Sequence, residues 1–143
     1  MSADVFTYGS LVIPAVMEVV TGRSFRHENA TLRDFERFLI AQQVYPGIVP
    51  AEGMHVTGRL YFDVDEASLV RLDYFESEVY DRQTVEVELA SGESTPAFSY
   101  VVSEQYRHLL SGEAWDEATF VERHLPNFLA RARGWMCELD ESD

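Results

Sequence analysis

The chain has 143 residues, a length typical of one globular domain, and 46% of them are hydrophobic, which argues against disorder. Its 25 acidic against 11 basic residues give a formal charge of −14, so neither nucleic acid nor an anionic membrane is expected as a partner. Every basic residue is arginine, which excludes a Schiff-base lysine and a P-loop lysine. The single cysteine excludes an internal disulfide, and without a signal-peptide pattern a cytoplasmic location is expected.

Hydrophobic periodicity and turn residues divide the chain into strand and helix patterns. The predicted elements, in chain order, are a strand at 5–8, a helix at 11–20, a strand at 30–40, a loop at 45–50, a strand at 55–63, a helix at 66–77, strands at 82–89 and 95–102, and a helix at 115–132. Residues 30–40 also fit a helix. Pro126 should bend or break the last helix, and the acidic tail at 138–143 is expected to fray. Because strand-to-strand hairpins outnumber strand–helix–strand units, the predicted class is α+β with a mixed, barrel-like sheet, in one domain over residues 1–143.

One charged residue lies on the apolar face of the helix predicted at 66–77. At 100° per residue, Glu76 falls within about 60° of Leu69 and Leu72. A carboxyl group in apolar surroundings has a raised pKa, which suits general acid–base catalysis. Glu76 is therefore a candidate catalytic residue. The alternative is a structural acid that pairs with Arg82 or caps backbone amides.

A second candidate is the run Tyr8-Gly9-Ser10-Leu11, which lies where the first strand ends and a helix begins. Backbone N–H groups at such a junction can converge on an anion or oxyanion, and a glycine lets a ligand approach the backbone closely. The alternative is a plain turn that ends a strand. Ser10 does not lie in a G-x-S-x-G pattern, so a hydrolase elbow is not supported.

Other chemical groups carry weaker signals. The four histidines have no metal-ligand spacing, so no metal site is expected, and Cys137 is interpreted as inert. Asp73 lies one helical turn before Glu76 and is interpreted as a supporting or structural group. Glu78 is expected on the solvent side of the same helix, beside Arg71.

Four sequence blocks occur together in this chain. They are V-F-T-Y-G-S-L at 5–11, Y-P-G-I at 45–48, T-G-R-L-Y at 57–61 and L-D-Y-F-E-S-E-V-Y-D-R at 72–82. In order and spacing these blocks resemble the γ-glutamylcyclotransferase-like family, specifically its AIG2-like branch, and residues 115–129 are similar to the extension of plant members. Two positions depart from the family pattern: Ser10 stands where threonine is frequent, and Ser77 where glycine follows the glutamate.

The resemblance implies a small mixed β-barrel flanked by helices, with a cavity between the first loop and an acid–base glutamate, here Glu76. It implies intramolecular aminolysis, in which the α-amine of a small γ-glutamyl substrate attacks its own γ-carbonyl and releases 5-oxoproline and a free amine. The residues implied to hold this substrate are Tyr8, Gly9, Ser10 and Leu11. No metal or organic cofactor is implied.

Three functional classes stay open at this point. The first is an enzyme, either a γ-glutamylcyclotransferase or a related lyase that removes a γ-glutamyl group from a biosynthetic intermediate. The second is a non-catalytic module that binds a small metabolite in the same cavity. The third is an interaction protein that uses its acidic surface. The sequence specifies neither the amine part of a substrate nor an oligomeric state.

Overall fold

A computed structural model describes residues 2–141, in which five β-strands form a closed barrel. The strands, in chain order, are β1 (Ser2–Thr7), β2 (His27–Leu39), β3 (Pro46–Asp65), β4 (Tyr80–Leu89) and β5 (Ser94–Val102). Around the barrel they follow the order β1-β3-β2-β4-β5, and the pairs are antiparallel except β1 with β5, which is parallel through Val5 and Phe98. The predicted α+β class and mixed β-barrel are confirmed.

Four α-helices accompany these strands in the described part of the chain. They are α1 (Pro14–Thr21), α2 (Glu66–Glu76), α3 (Glu117–Arg123) and α4 (Leu125–Glu141). Asp65 caps α2 as predicted, since its side chain accepts a hydrogen bond from the Ser68 N–H at 3.2 Å. Within residues 2–141 no helix combines the length and apolar character needed to cross a bilayer.

Two hydrophobic clusters lie on the two sides of the barrel wall, because successive side chains of a strand point to opposite faces. The interior cluster includes Phe6, Leu60 and Val101. Their strand neighbours Val5 and Tyr61 belong to the other cluster, which also holds the buried residues of α1, α2 and α4. The helices are therefore fixed against the outer face of the barrel by apolar packing.

The prediction of a loop at 45–50 is wrong. Residues 46–50 form the start of β3 and pair with residues 35–39 of β2. The two prolines are tolerated because Pro46 is the first residue of its strand and Pro50 lies beside a β-bulge between Arg33 and Phe35, where the ladder is already interrupted. Ile48 between them is fully buried, which stabilises the strand pairing.

The last predicted helix divides in two, as Pro126 indicated. Helix α3 ends before His124, and Pro126 occupies the first turn of α4, where its missing N–H costs no intrahelical hydrogen bond.

The prediction of a frayed tail is wrong for residues 138–141, which continue α4, and residues 142–143 lie outside the described range. An ion pair between Asp140 and Arg71 of α2, at 2.6 Å, helps to hold this end of the helix.

Candidate active site

A single cavity brings together the two sequence segments that were predicted to carry chemistry. It has a volume of about 330 Å³ and is lined by the loop that follows β1, residues 8–11, and by Glu76 at the end of α2. The β1 strand ends at Thr7 and the α2 helix ends at Glu76, so both elements present their terminal residues to the same space. This juxtaposition is not the one expected for an interaction protein without a pocket.

Glu76 is half-buried in the cavity wall. Burial raises the pKa of its carboxyl group from the ordinary 4.5 to about 8, and the negative charge of Asp73 adds to the rise. Among residues 2–141, no hydrogen-bond donor or cation pairs with this carboxyl group. This burial agrees with the environment that the helical stripe predicted, and a pKa near neutrality suits a group that transfers protons.

The residue after the glutamate takes an unusual backbone conformation. Ser77 has φ of 66°, a value that favours glycine, and its N–H donates a hydrogen bond to the Asp73 carbonyl at 3.0 Å. The turn that ends α2 is thus kept although serine stands where the family has glycine. This conformation stops the helix at Glu76 and leaves that side chain on the final turn.

Asp73 binds two neighbouring side chains near the end of α2. Its carboxylate accepts a hydrogen bond from the Tyr100 hydroxyl at 2.7 Å and forms an ion pair with Arg82 at 3.2 Å. The alternative in which Arg82 pairs with Glu76 is therefore not the arrangement observed. Asp73 is a neighbour that shapes the electrostatics of Glu76, as the sequence interpretation held.

The predicted pair between Glu78 and Arg71 is wrong. Arg71 donates to the Val20 carbonyl at 2.7 Å and to Asp140, whereas Glu78 shares a hydrogen bond with Tyr106. The reason is that α2 ends at Glu76, so the 100° spacing no longer applies to Glu78.

The residues of the loop at 8–11 line the cavity, and several of their backbone N–H groups are unpaired within the described part of the chain. Residues 10–12 form one turn of 3₁₀ helix, in which the Val12 N–H bonds to the Gly9 carbonyl at 3.0 Å. The N–H groups of Gly9, Ser10 and Leu11 have no hydrogen-bond partner within residues 2–141. Three donors that line a cavity without partners are able to bind a carboxylate or an oxyanion.

Gly9 is required at its position by sterics. A Cβ atom there would lie 2.6 Å from the Cδ atom of Pro46, closer than real Cβ contacts allow. The loop therefore packs directly on the proline that starts β3. The Y-G-S-L and Y-P-G-I blocks are in contact for this reason.

Arg37 fixes the orientation of the same loop from the other side. Its guanidinium donates to the Tyr8 carbonyl at 2.8 Å and to the Thr57 carbonyl at 3.1 Å, and it lies outside the cavity. In a trans peptide the C=O and the following N–H point in opposite directions, so this bond directs the Gly9 N–H away from Arg37. Sequence reasoning missed Arg37, because nothing in its spacing links it to the loop.

Aromatic side chains form much of the remaining cavity wall, and the sequence interpretation gave none of them an individual role at the site. They are Phe6, Tyr45, Phe75, Tyr80, Tyr100, Phe128 and Trp135. The Tyr80 hydroxyl donates to the Pro46 carbonyl at 2.8 Å, and the Tyr8 hydroxyl donates to the Tyr100 carbonyl at 2.6 Å. Burial raises the pKa of both phenols well above 10, so both stay neutral. The available signal was the placement of Phe128 and Trp135 seven residues apart, on one helix face.

The histidine, cysteine and acidic side chains of the described residues do not form a metal centre. No group of three or more histidine, cysteine, aspartate or glutamate side chains in the range 2–141 could hold a metal ion. His27 packs edge-on against the Tyr61 ring at a centroid distance of 5.3 Å, and Cys137 is exposed.

Comparison with known proteins places this geometry in a wider group. The family model described as "Gamma-glutamyl cyclotransferase, AIG2-like" matches residues 5–117. AIG2-like protein D from Arabidopsis thaliana is 35% identical over 139 residues, covering 96% of this chain and 91% of that protein. The solution structure of At3g28950.1, also from Arabidopsis thaliana, is 30% identical with a TM-score of 0.71, covering 99% of this chain and 85% of the other. A solved structure named gamma-glutamyl cyclotransferase has a TM-score of 0.64 at 19% identity, covering 93% and 87%, and shows likeness of fold.

Proposed function

Since the chain belongs to the gamma-glutamyl cyclotransferase, AIG2-like family, we propose that it is an enzyme that converts a γ-glutamyl amine or peptide into 5-oxoproline and a free amine. Glu76 is the proposed general acid and base, and Tyr8, Gly9, Ser10 and Leu11 bind the substrate. The single observation that carries this proposal is that one cavity is lined by Glu76 and by residues 9–11, whose carboxyl and backbone N–H groups have no partner within residues 2–141.

The reaction needs few protein groups because the nucleophile belongs to the substrate. The α-amine nitrogen attacks the γ-carbonyl carbon, the amide C–N bond breaks, and a five-membered lactam forms without water. Holding the two reacting atoms together supplies much of the rate acceleration. A proton must leave the α-ammonium group, and a proton must reach the departing nitrogen.

Glu76 is suited to move that proton. In the empty cavity a carboxyl group with a pKa of about 8 is mostly protonated at pH 7. The α-ammonium group of a bound substrate brings positive charge beside it, which favours the carboxylate. Glu76 then accepts the ammonium proton and donates it to the leaving nitrogen, a contribution of about 10²–10⁴-fold in rate.

The backbone amides of the loop are suited to stabilise the negative charge that develops during the reaction. Attack on the γ-carbonyl places negative charge on its oxygen, and unpaired N–H groups of residues 9–11 are available as donors. Each well-placed donor of this kind contributes about 10²–10³-fold in rate. Their fixed position depends on the Gly9 contact with Pro46 and on the Arg37 hydrogen bond to Tyr8.

The test is a 5-oxoproline assay over γ-glutamyl amines, γ-glutamyl dipeptides and glutathione. We expect turnover of at least one class, and Glu76→Gln should lower kcat by about 10²–10⁴-fold with the fold retained. Glu78→Gln is the matched control, because that glutamate lies two residues further on and outside the cavity, and its activity should stay within about 2-fold. Full activity of Glu76→Gln would reject Glu76 as the acid–base group.

The same substrates also distinguish a non-catalytic binding module on this fold. Such a module would be stabilised against heat by a γ-glutamyl compound and would release no 5-oxoproline over hours. A related lyase would turn over none of these three substrate classes and would act only on a γ-glutamyl biosynthetic intermediate added to the panel.

A further inference from the structure

Three aromatic rings form one closed cluster beside the proposed acid–base residue. The ring centroids of Phe75, Phe128 and Trp135 lie 6.1, 5.9 and 6.0 Å from one another, and all three residues line the cavity. Phe75 immediately precedes Glu76, whereas the other two side chains come from α4. The departing amine nitrogen must lie within reach of Glu76, so these rings border the space that the amine part of a substrate would occupy.

The cavity is also nearly free of charge. Among the lining residues in the described range, Glu76 is the only one with a carboxylate, and none is arginine, lysine or histidine. Burial keeps the lining phenols of Tyr8 and Tyr80 neutral by raising the pKa of each. A second carboxylate in the amine part of a substrate would therefore be desolvated beside Glu76 without a cation to pair with it.

The guanidinium of Arg131 packs against the ring cluster from outside the cavity. The guanidinium carbon of Arg131 is 5.1 Å from the Trp135 ring centroid and 5.9 Å from that of Phe128, on an exposed side chain that does not line the cavity. Its side chain does not line the cavity, although its positive charge acts on the lining residue Tyr45 and opposes the rise that burial causes in the pKa of that phenol. Within the cavity, the three rings therefore offer apolar contact.

We propose, on the premise of the cyclotransferase function, that the Phe75–Phe128–Trp135 cluster is an amine subsite that selects γ-glutamyl amides of aromatic or apolar amines without a carboxylate. The volume of about 330 Å³ lies at the lower end of the range for ligand pockets, about 300–1,000 Å³, and suits a glutamyl group with one small ring. In the reaction, the bond from the γ-carbonyl carbon to the aromatic amine breaks as the lactam C–N bond forms. The proton from the α-ammonium group ends on the released amine.

Three probe substrates test the proposal. γ-Glutamylphenethylamine and γ-glutamyl-L-phenylalanine differ by one carboxylate, and γ-glutamylmethylamine lacks the ring. Burying a phenyl ring should raise kcat/KM for the phenethylamide about 10–100-fold above that for the methylamide. The added carboxylate of the phenylalanine compound should lower it by about 10-fold or more relative to the phenethylamide.

Variants of the cluster test whether these rings cause the preference for the phenethylamide substrate. Trp135→Ala should lower kcat/KM for the phenethylamide about 10-fold more than it lowers kcat/KM for the methylamide, and Trp135→Phe should restore most of this difference. Tyr74→Ala is the control, because Tyr74 precedes Phe75, is 41% exposed and does not line the cavity. Thermal melting curves confirm that each variant is folded.

The outcomes separate this inference from the function on which it rests. If 5-oxoproline forms but the methylamide or the phenylalanine compound is turned over as well as the phenethylamide, the subsite is refuted and the function stands. A preference for the phenylalanine compound that disappears in Arg131→Gln would show carboxylate recognition and refute it too. If nothing is turned over, the function fails, and binding of the three compounds to Glu76→Gln, read by tryptophan fluorescence, decides the subsite: selective binding of the phenethylamide supports it and no selectivity refutes it.

Discussion

Replacing Glu76 by glutamine should make the folded chain more stable at alkaline pH, although it removes the proposed acid–base group. The wild-type carboxyl group has a folded-state pKa of about 8 against 4.5 ordinarily, because burial disfavours its charged form. Glutamine has a similar shape and stays neutral at every pH. The variant therefore removes the free-energy cost of ionising a carboxyl group in the cavity wall.

The direction and the pH window follow from linkage. Below pH 4.5 both states are protonated and the free energy of unfolding is unaffected. Between pH 4.5 and about 8 the unfolded chain loses this proton while the folded chain keeps it, so stability falls as the pH rises, and above 8 the loss is complete. A rise from 4.5 to about 8 corresponds to about 5 kcal/mol at most, and since Glu76 is half-buried beside an open cavity, about 1–3 kcal/mol is expected.

Thermal melting of the wild type, Glu76→Gln and Glu78→Gln at pH 5 and pH 9 measures this effect. The wild type and Glu76→Gln should melt close together at pH 5, and Glu76→Gln should melt about 3–10 °C higher at pH 9. Glu78→Gln should show no such pH-dependent difference, because its carboxyl group is exposed. Equal melting temperatures of Glu76→Gln and the wild type at pH 9 would show that the Glu76 carboxylate is well solvated, and the argument for a tuned proton carrier would fail.

Two further changes test how the loop is held. Arg37→Ala removes the charge-assisted hydrogen bond to the Tyr8 carbonyl, so kcat should fall about 10-fold with little change in KM. Guanidinium added to the assay should restore part of the lost kcat. A change in KM alone would contradict an orienting role for Arg37. Gly9→Ala places a Cβ atom against the ring of Pro46 and should lower the free energy of unfolding in urea by about 1–3 kcal/mol. Gly134→Ala, in open space on α4, is the control and should be neutral or stabilising. Equal stabilities of the two variants would refute the steric argument.

The strand β4 was predictable because its alternation reflects one buried and one exposed face, and β5 because a hairpin turn returns the chain beside β4. Val85 and Val87 are buried and Thr84 and Glu86 are exposed, and Gly92 supplies the positive φ of the intervening turn. The start of β3 was not predictable in the same way. Proline and glycine are local loop signals, and the pairing with residues 35–39 that overrides them is a contact between distant parts of the chain.

The candidate site was predictable where one element carried the signal and not where several had to meet. Glu76 stood out because a single helix places it on an apolar stripe with Leu72. Phe128 and Trp135 gave the same apolar pattern that any packed helix face gives, and only the docking of α4 on α2 turns part of that face into a cavity wall. Helical periodicity indicates that a side chain is shielded from water. It does not indicate whether the space beside that side chain is filled by other side chains or is a cavity.

Two acidic residues at the end of α2, Asp73 and Glu76, lie one helical turn apart and have different roles. Asp73 is partly exposed, forms an ion pair with Arg82 and accepts a hydrogen bond from the Tyr100 hydroxyl. Its remaining negative charge raises the pKa of Glu76 further. For this reason the electrostatic environment of the proposed catalytic group depends on a pair of residues, and the helical spacing of three places both at the same end of the helix.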